Sequence, residues 1–196
     1  MKAKDLCEQA RRFAQKSSCY LPGAWGQYLS QGEYNRLCAM YPRNEQYHNE
    51  SYVGTECYPF DCICFVKALT AGATVGNRIS YSQLAAGPLG DCTTAQFLNA
   101  KLYDKCDPKD AKAGYGLATS GHAGIALGDG MWIDANKTAG QNGLQIHSTG
   151  IETFTAAGKI PGIVYESDDP EPIIDTERVI LTNFTNWLVD TYLKQK

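Results

Sequence analysis

Tyr58-Pro59-Phe60-Asp61-Cys62-Ile63-Cys64-Phe65-Val66-Lys67-Ala68-Leu69 is the stretch that decides how this chain is read. Pro59 cannot continue a helix, Asp61 is a good N-cap, and Phe65, Val66 and Leu69 then recur at helical spacing, so a helix starts at Cys62. Gly72 closes it. A cysteine at a helix start has its thiolate stabilised by unpaired N–H groups and by the positive end of the helix dipole. Sixty residues later stands Gly121-His122-Ala123-Gly124-Ile125-Ala126-Leu127-Gly128-Asp129-Gly130, where apolar and small residues alternate with a period of two. The Gly-Asp-Gly turn leads into Met131-Trp132-Ile133-Asp134-Ala135-Asn136, which completes a hairpin. A thiol nucleophile and an imidazole base are the natural reading of the pair.

The hairpin register follows from its pattern. An odd number of turn residues sets Ile125 opposite Ile133 and Ala123 opposite Ala135, giving one apolar face, and places His122 on the other face with Trp132, Asp134 and Asn136. A two-residue turn sets Ile125 opposite Asp134 and mixes polar with apolar on both faces. The odd turn is therefore expected. It puts a carboxylate and an amide on the face of the histidine, and either can fix its orientation and tautomer as a third member of a triad.

Asp-Cys-x-x-Phe-Val at a helix start, Gly-His-x-Gly-Ile-x-x-Gly-x-Gly on a strand, and a polar residue twelve positions after the histidine resemble the NlpC/P60 papain-like cysteine peptidases of bacterial cell-wall turnover. The Cys-Ile-Cys variant is similar to phage and Firmicute lysins of that group. Trp25-Gly26-Gln27, Asn142-Gly143-Leu144-Gln145-Ile146 and Gly158-Lys159-Ile160-Pro161 extend the resemblance over Leu6 to Val164, although only the Cys and His motifs are specific. The resemblance implies an α+β, papain-like fold with the nucleophile helix packed on an antiparallel sheet. It implies Cys62 as nucleophile, His122 as general base and acid, and Asp134 as the orienting residue. Family members more often carry His, Asn or Gln at that place, and Asn136 on the same face competes for the role. By the same resemblance, the residue before the nucleophile and an upstream tyrosine hold the free amine of the peptide stem, which points to Asp61 and Tyr52. Ile63 stands where a serine usually follows the nucleophile.

The implied chemistry is acyl transfer through a thioester, with no metal or organic cofactor. The implied partner is the peptidoglycan peptide stem, cut by an endopeptidase at a γ-D-glutamyl bond. The alternatives are an N-acetylmuramoyl-L-alanine amidase of CHAP type, or a non-catalytic module of the same fold that binds a peptide or a partner. Lipid acyl exchange on this fold usually has the histidine before the cysteine, and here the order is the reverse.

Composition agrees with a soluble globular domain: 196 residues, 43% hydrophobic and 20% charged. A net charge of −3 without a Lys/Arg run gives no support for nucleic-acid binding or for attraction to an anionic membrane. No apolar run approaches the ~20 residues of a membrane span. Met1-Lys2-Ala3-Lys4-Asp5 leads into Leu6, Ala10, Phe13 and Ala14 at helical spacing without a signal-peptide core, so synthesis in the cytoplasm and action on the wall after release or delivery are expected.

Eight cysteines, at 7, 19, 38, 57, 62, 64, 92 and 106, read as free thiols, because disulfide frameworks belong mainly to small secreted chains. Cys57, Cys62 and Cys64 lack paired C-x-x-C spacing and a neighbouring histidine, which argues against zinc. Cys64 lies about 200° round the helix from Cys62 and should point into the core. His48 and His147 lack a comparable motif, and His147 reads as a surface residue at a strand end.

Residues 1–166 form the expected catalytic domain, with a helical N-terminal part over 1–60. Helices are expected at about Asp5–Gln15, Glu33–Met40 and Thr93–Tyr103, and strands at about His122–Leu127, Met131–Asn136, Leu144–His147 and Gly162–Tyr165. The N-terminal part should wall one side of the cleft and Gly76–Lys112 the other. An acidic, Pro-containing linker over 167–175 then leads to an amphipathic helix within 176–196. The apolar face of that helix, over 176–193, either packs back on the domain or meets a partner.

Overall fold

The computed structural model describes residues 1–138 and 141–166; the expected linker 167–175 and the helix in 176–196 lie outside the described residues. The helices are α1 (Ala3–Ala14), α2 (Gln31–Met40), α3 (Cys62–Thr70) and α4 (Tyr81–Ala86). Two short parallel strands, β1 (Ser18–Tyr20) and β2 (Tyr58–Phe60), pair with Tyr20 opposite Phe60. The remaining strands are β3 (Tyr103–Cys106), β4 (Gly116–Ala118), β5 (Ala123–Gly128), β6 (Met131–Thr138), β7 (Gln141–His147) and β8 (Ala156–Lys159). They form one antiparallel sheet in the order β3-β8-β4-β5-β6-β7. The fold is α+β, as expected.

The helix starts follow from side-chain caps. Ser30 Oγ accepts the N–H of Glu33 at the head of α2, and Asp61 accepts that of Cys64 at the head of α3. Every residue of α3 is buried, because the helix packs on β5 and β6 on one side and on α1 on another. Phe65, Val66, Ala68 and Leu69 join Leu6, Ala10 and Phe13 of α1 and Ile125, Ile133 and Ala135 of the sheet in one core. Burying each of the larger side chains is worth about 1.5–3 kcal/mol, which holds the N-terminus of α3 in place over the sheet. The opposite face of the hairpin carries a second cluster built from Leu117, Ala126, Trp132, Phe154 and Ala157.

Ile125 lies opposite Ile133, the expected register, but the turn that gives it differs from the expected one. Gly128 pairs with Met131 across the two residues Asp129 and Gly130, both at positive φ (53° and 72°), as a type I′ turn requires. An extra residue on β5 between Ala126 and Gly128 then shifts the pairing by one. A bulge does the work assigned to a longer turn. Gly124 is needed here for another reason: a Cβ at this position would lie 2.8 Å from the carbonyl oxygen of Ile133.

Two other expectations are corrected. Gly162–Tyr165 is not a strand; Val164 makes only an isolated bridge to Lys2, and the strand lies earlier, at Ala156–Lys159. That segment, Ala-Ala-Gly-Lys, has none of the β-branched residues that mark strands, and its Gly158 admits the Tyr103 carbonyl to 2.8 Å from a would-be Cβ. The helix expected over Thr93–Tyr103 is one α-turn, Thr94–Gln96, that loosens into a π-helix over Phe97–Lys101. Its last residue is already in β3, where tertiary pairing with β8 overrides local propensity.

Candidate active site

Asp61 builds the nucleophile side. One carboxylate oxygen accepts the N–H of Cys64 at 2.6 Å and the other that of Gly23 at 2.8 Å, so the cap also ties the loop at Gly23 to the start of α3. Burial pushes the Asp61 carboxyl up from its ordinary value, against the pull of these two backbone hydrogen bonds. The intrahelical ladder begins with Phe65 N–H donating to the Asp61 carbonyl. The N–H groups of Cys62 and Ile63 therefore precede both the ladder and the cap, and are placed as donors to an anion beside the Cys62 sulfur.

Tyr20, which the sequence reading did not single out, stands at the same place. Its pairing opposite Phe60 brings it beside Asp61 and Cys62. Burial, followed by the negative charge of Cys62 and Asp61, pushes that hydroxyl far above the ordinary phenol value. Its backbone is clamped by two amides. Tyr20 N–H donates to Asn142 Oδ1 (2.9 Å), Asn49 Nδ2 donates to the Tyr20 carbonyl (2.7 Å), and Asn142 Nδ2 donates to Asn49 Oδ1 (2.9 Å). Tyr52, expected beside the nucleophile, packs instead against the N-terminal cluster of Leu21, Leu29, Tyr34 and Leu37, and is absent from the residues lining the cleft.

The sheet builds the base side. His122 immediately precedes β5, and its backbone is fixed by a turn in which Thr119 Oγ1 accepts the His122 N–H (2.9 Å) while Thr119 N–H donates to the His122 carbonyl (2.9 Å). The imidazole stacks on Phe154, with centroids 5.8 Å apart and planes at 18°. Its Nε2 lies 2.5 Å from Asp134 Oδ2, and Cys62 is the other group that acts on the ring electrostatically. With Nε2 on the carboxylate, Nδ1 is the nitrogen left for the thiol. The ring contact is made by Asp134, while the Asn136 side-chain oxygen accepts the N–H of Lys137 at 2.8 Å.

Asp134 is fully buried, and its second oxygen is also used. His147 Nε2 lies 3.0 Å from Oδ1, and the His147 ring stacks on Trp132 at 4.0 Å with planes at 19°. His147 does end a strand, but it is only 21% exposed rather than a free surface residue. Burial works against a charged His122, yet the hydrogen bonds to Asp134 and Cys62 and the negative charge of both outweigh it and hold the imidazole at about 9.

The cleft beside Cys62 has a volume of about 840 Å³. Gly23, Trp25 and Arg36 from the N-terminal part and Tyr81, Asp91 and Thr93 from Gly76–Lys112 line it, with the Trp25 and Tyr81 rings in contact at 5.4 Å, and Gly121 lines it beside His122. Cys64 lines the cleft as well as touching the core, which corrects the expectation of a purely core thiol. Burial, and then the negative charge of Asp61, push the Cys64 thiol well up. Further along, Lys67 is 2% exposed and donates to Asp91 at 2.6 Å, and Tyr81 Oη donates to the same carboxylate at 2.7 Å. All eight cysteines are unbridged, and among the described residues no group of three His, Cys, Asp or Glu side chains converges as a metal site. Among the same residues, no helix is long and apolar enough to cross a membrane.

No family model matches the chain, and no curated protein sequence matches it significantly. Among solved structures, the chain is similar to the crystal structure of the NlpC/p60 domain of the peptidoglycan hydrolase SagA, at 19% identity over 82% of this chain and 100% of that one, with a TM-score of 0.44.

Proposed function

We propose that the protein is a peptidoglycan hydrolase, a cysteine endopeptidase that cleaves a γ-D-glutamyl amide bond in the cell-wall peptide stem through a thioester acyl-enzyme. The observation that carries the reading is the His122 ring, with Nε2 2.5 Å from the buried Asp134 carboxylate and Cys62, at the start of α3, as the other group acting on it. In the reaction, His122 Nδ1 holds the proton given up by the thiol, as the raised imidazole favours, and the Cys62 sulfur attacks the amide carbonyl. The N–H groups of Cys62 and Ile63 receive the developing oxyanion. The protonated Nδ1 then gives its proton to the leaving amine, and the neutral ring activates the water that hydrolyses the thioester. Asp134 fixes the tautomer with the proton on Nε2 and stabilises the imidazolium that forms in each half-reaction.

The substrate class rests on the resemblance of the Cys and His motifs to the NlpC/P60 peptidases. Asp61 and Tyr20 beside Cys62 are the side chains we assign to holding the stem's free amine; the Asp61 oxygens each retain a lone pair after accepting one backbone N–H. Mass spectrometry of purified peptidoglycan digested with wild-type protein and with Cys62→Ala tests the proposal. New fragments whose masses place the cut after D-glutamate, made by wild type alone, are expected. Free stems released from the sugar would replace it with the amidase reading. An absence of fragments from walls of both common stem types would leave a binding module.

A further inference from the structure

Asp134 is held from two sides by two histidines, and only one of them is needed for the acyl-transfer steps. We propose that His147 is a positioning residue of the active site, clamping the Asp134 carboxylate through Oδ1 so that Oδ2 stays directed at His122; this rests on the assignment of Cys62, His122 and Asp134 as the reacting group.

The geometry supports a built arrangement. Asp134 has no exposure to water, so neither oxygen can be satisfied by solvent, and the hydrogen bonds to them are made by His122 at 2.5 Å and His147 at 3.0 Å. A carboxylate bonded through one oxygen alone can turn about its terminal torsion, which is broad and soft; bonding both oxygens fixes its plane. The His147 ring is fixed in turn. It lies opposite Trp132 in the β6–β7 register and stacks on the indole at 4.0 Å, while Trp132 Nε1 donates to the Thr149 carbonyl at 2.9 Å and Phe154 packs edge-on against the same indole. Phe154 also stacks on His122. The two imidazoles are thus oriented by one aromatic group and joined by one carboxylate. His147 must carry its proton on Nε2 to donate to Asp134, a state open to it whether neutral or protonated.

The clamp makes Asp134 a better partner for His122 than a singly bonded carboxylate. The consequence at Cys62 is a thiol whose base is always in line. Removing the donor leaves a buried carboxylate oxygen without a partner, a loss large enough to disorder the His122–Asp134 contact.

The test uses His147→Phe, which keeps a ring to stack on Trp132 but removes the donor, and His147→Gln, which keeps an N–H donor. The readout is the rate of Cys62 alkylation by iodoacetamide at pH 7, resolved by peptide mass mapping from the other cysteines, alongside kcat and KM on the wall peptide. His147→Phe is expected to slow Cys62 alkylation and to lower kcat about tenfold with KM unchanged, and His147→Gln to restore most of both. Unchanged alkylation in His147→Phe, or equal loss in both variants, would overturn the clamp. Long-range 1H–15N spectra of the wild type supply a test that needs no variant: the His147 proton is expected on Nε2, and a ring protonated on Nδ1 alone contradicts the assignment. Alkylation and spectra read the clamp even if no wall fragment is found, so failure of the substrate proposal is separable from failure of this one.

Discussion

The two sides of the cleft are built by different means. On the base side, His122, Asp134 and His147 belong to adjacent strands or their ends, and strand register alone brings them together: Gly124 pairs with Asp134 and Trp132 with His147. On the nucleophile side, Cys62 is held by a helix cap, and the groups around it come from far away in sequence: Gly23 through Asp61, and Tyr20 through a three-residue strand pairing whose backbone Asn49 and Asn142 clamp. A period of two is written in the sequence, so the base side can be read before folding. Caps and amide clamps join positions that no local pattern relates.

Breaking the strand side at its centre has the largest expected effect. Asp134→Ala removes the partner of two imidazoles from a site without solvent, and kcat on wall peptide is expected to fall on the order of 10³-fold with KM little changed, as for loss of the orienting acid in a triad. An activity within a few-fold of wild type would mean that Asp134 serves stability alone. On the helix side, Asp61→Ala orphans the N–H groups of Cys64 and Gly23. Urea unfolding should show a loss of about 2 kcal/mol, and Asp61→Asn, which keeps an acceptor for one of the two, should lose less. Equal stability in all three would show that the cap contributes nothing to holding α3.

The base side also carries a smaller, pH-dependent effect. His122 sits at about 9 in the folded protein, above the roughly 6.5 of an unfolded chain. A raised value means that the folded state holds the proton more tightly, so this stabilisation is complete below about pH 6.5 and is lost as pH rises through about 9. The difference in thermal midpoint between wild type and His122→Gln should therefore shrink between pH 6 and pH 9.5. A difference independent of pH would mean that the ring is not charged in the folded protein.

The sequence disclosed the α3 start, the hairpin register and Asp134 as a partner for His122, because Pro59, Asp61 and the alternation from Ala123 to Leu127 each carry a local physical meaning. It disclosed the correct register by an incomplete route, since pairing depends on the sum of turn and bulge. It missed Tyr20 because a three-residue strand has no period to detect, and Tyr52 was the nearer tyrosine by sequence alone. It missed the role of His147 because that side chain is recruited by cross-strand pairing with Trp132, two strands away from His122. β8 was invisible because its pairing depends on Gly158 admitting a neighbouring carbonyl, a requirement that leaves no apolar signature.

We propose that Cys62 and His122 form a reactive pair, while Cys64, two residues away and lining the same cleft, does not. Site-resolved alkylation of both thiols from pH 5 to pH 10, in wild type and in His122→Ala, tests it most directly. Cys62 is expected to outpace Cys64 at every pH and to lose that advantage in His122→Ala. Equal labelling of Cys62 and Cys64, or a Cys62 profile unchanged by His122→Ala, would contradict the account.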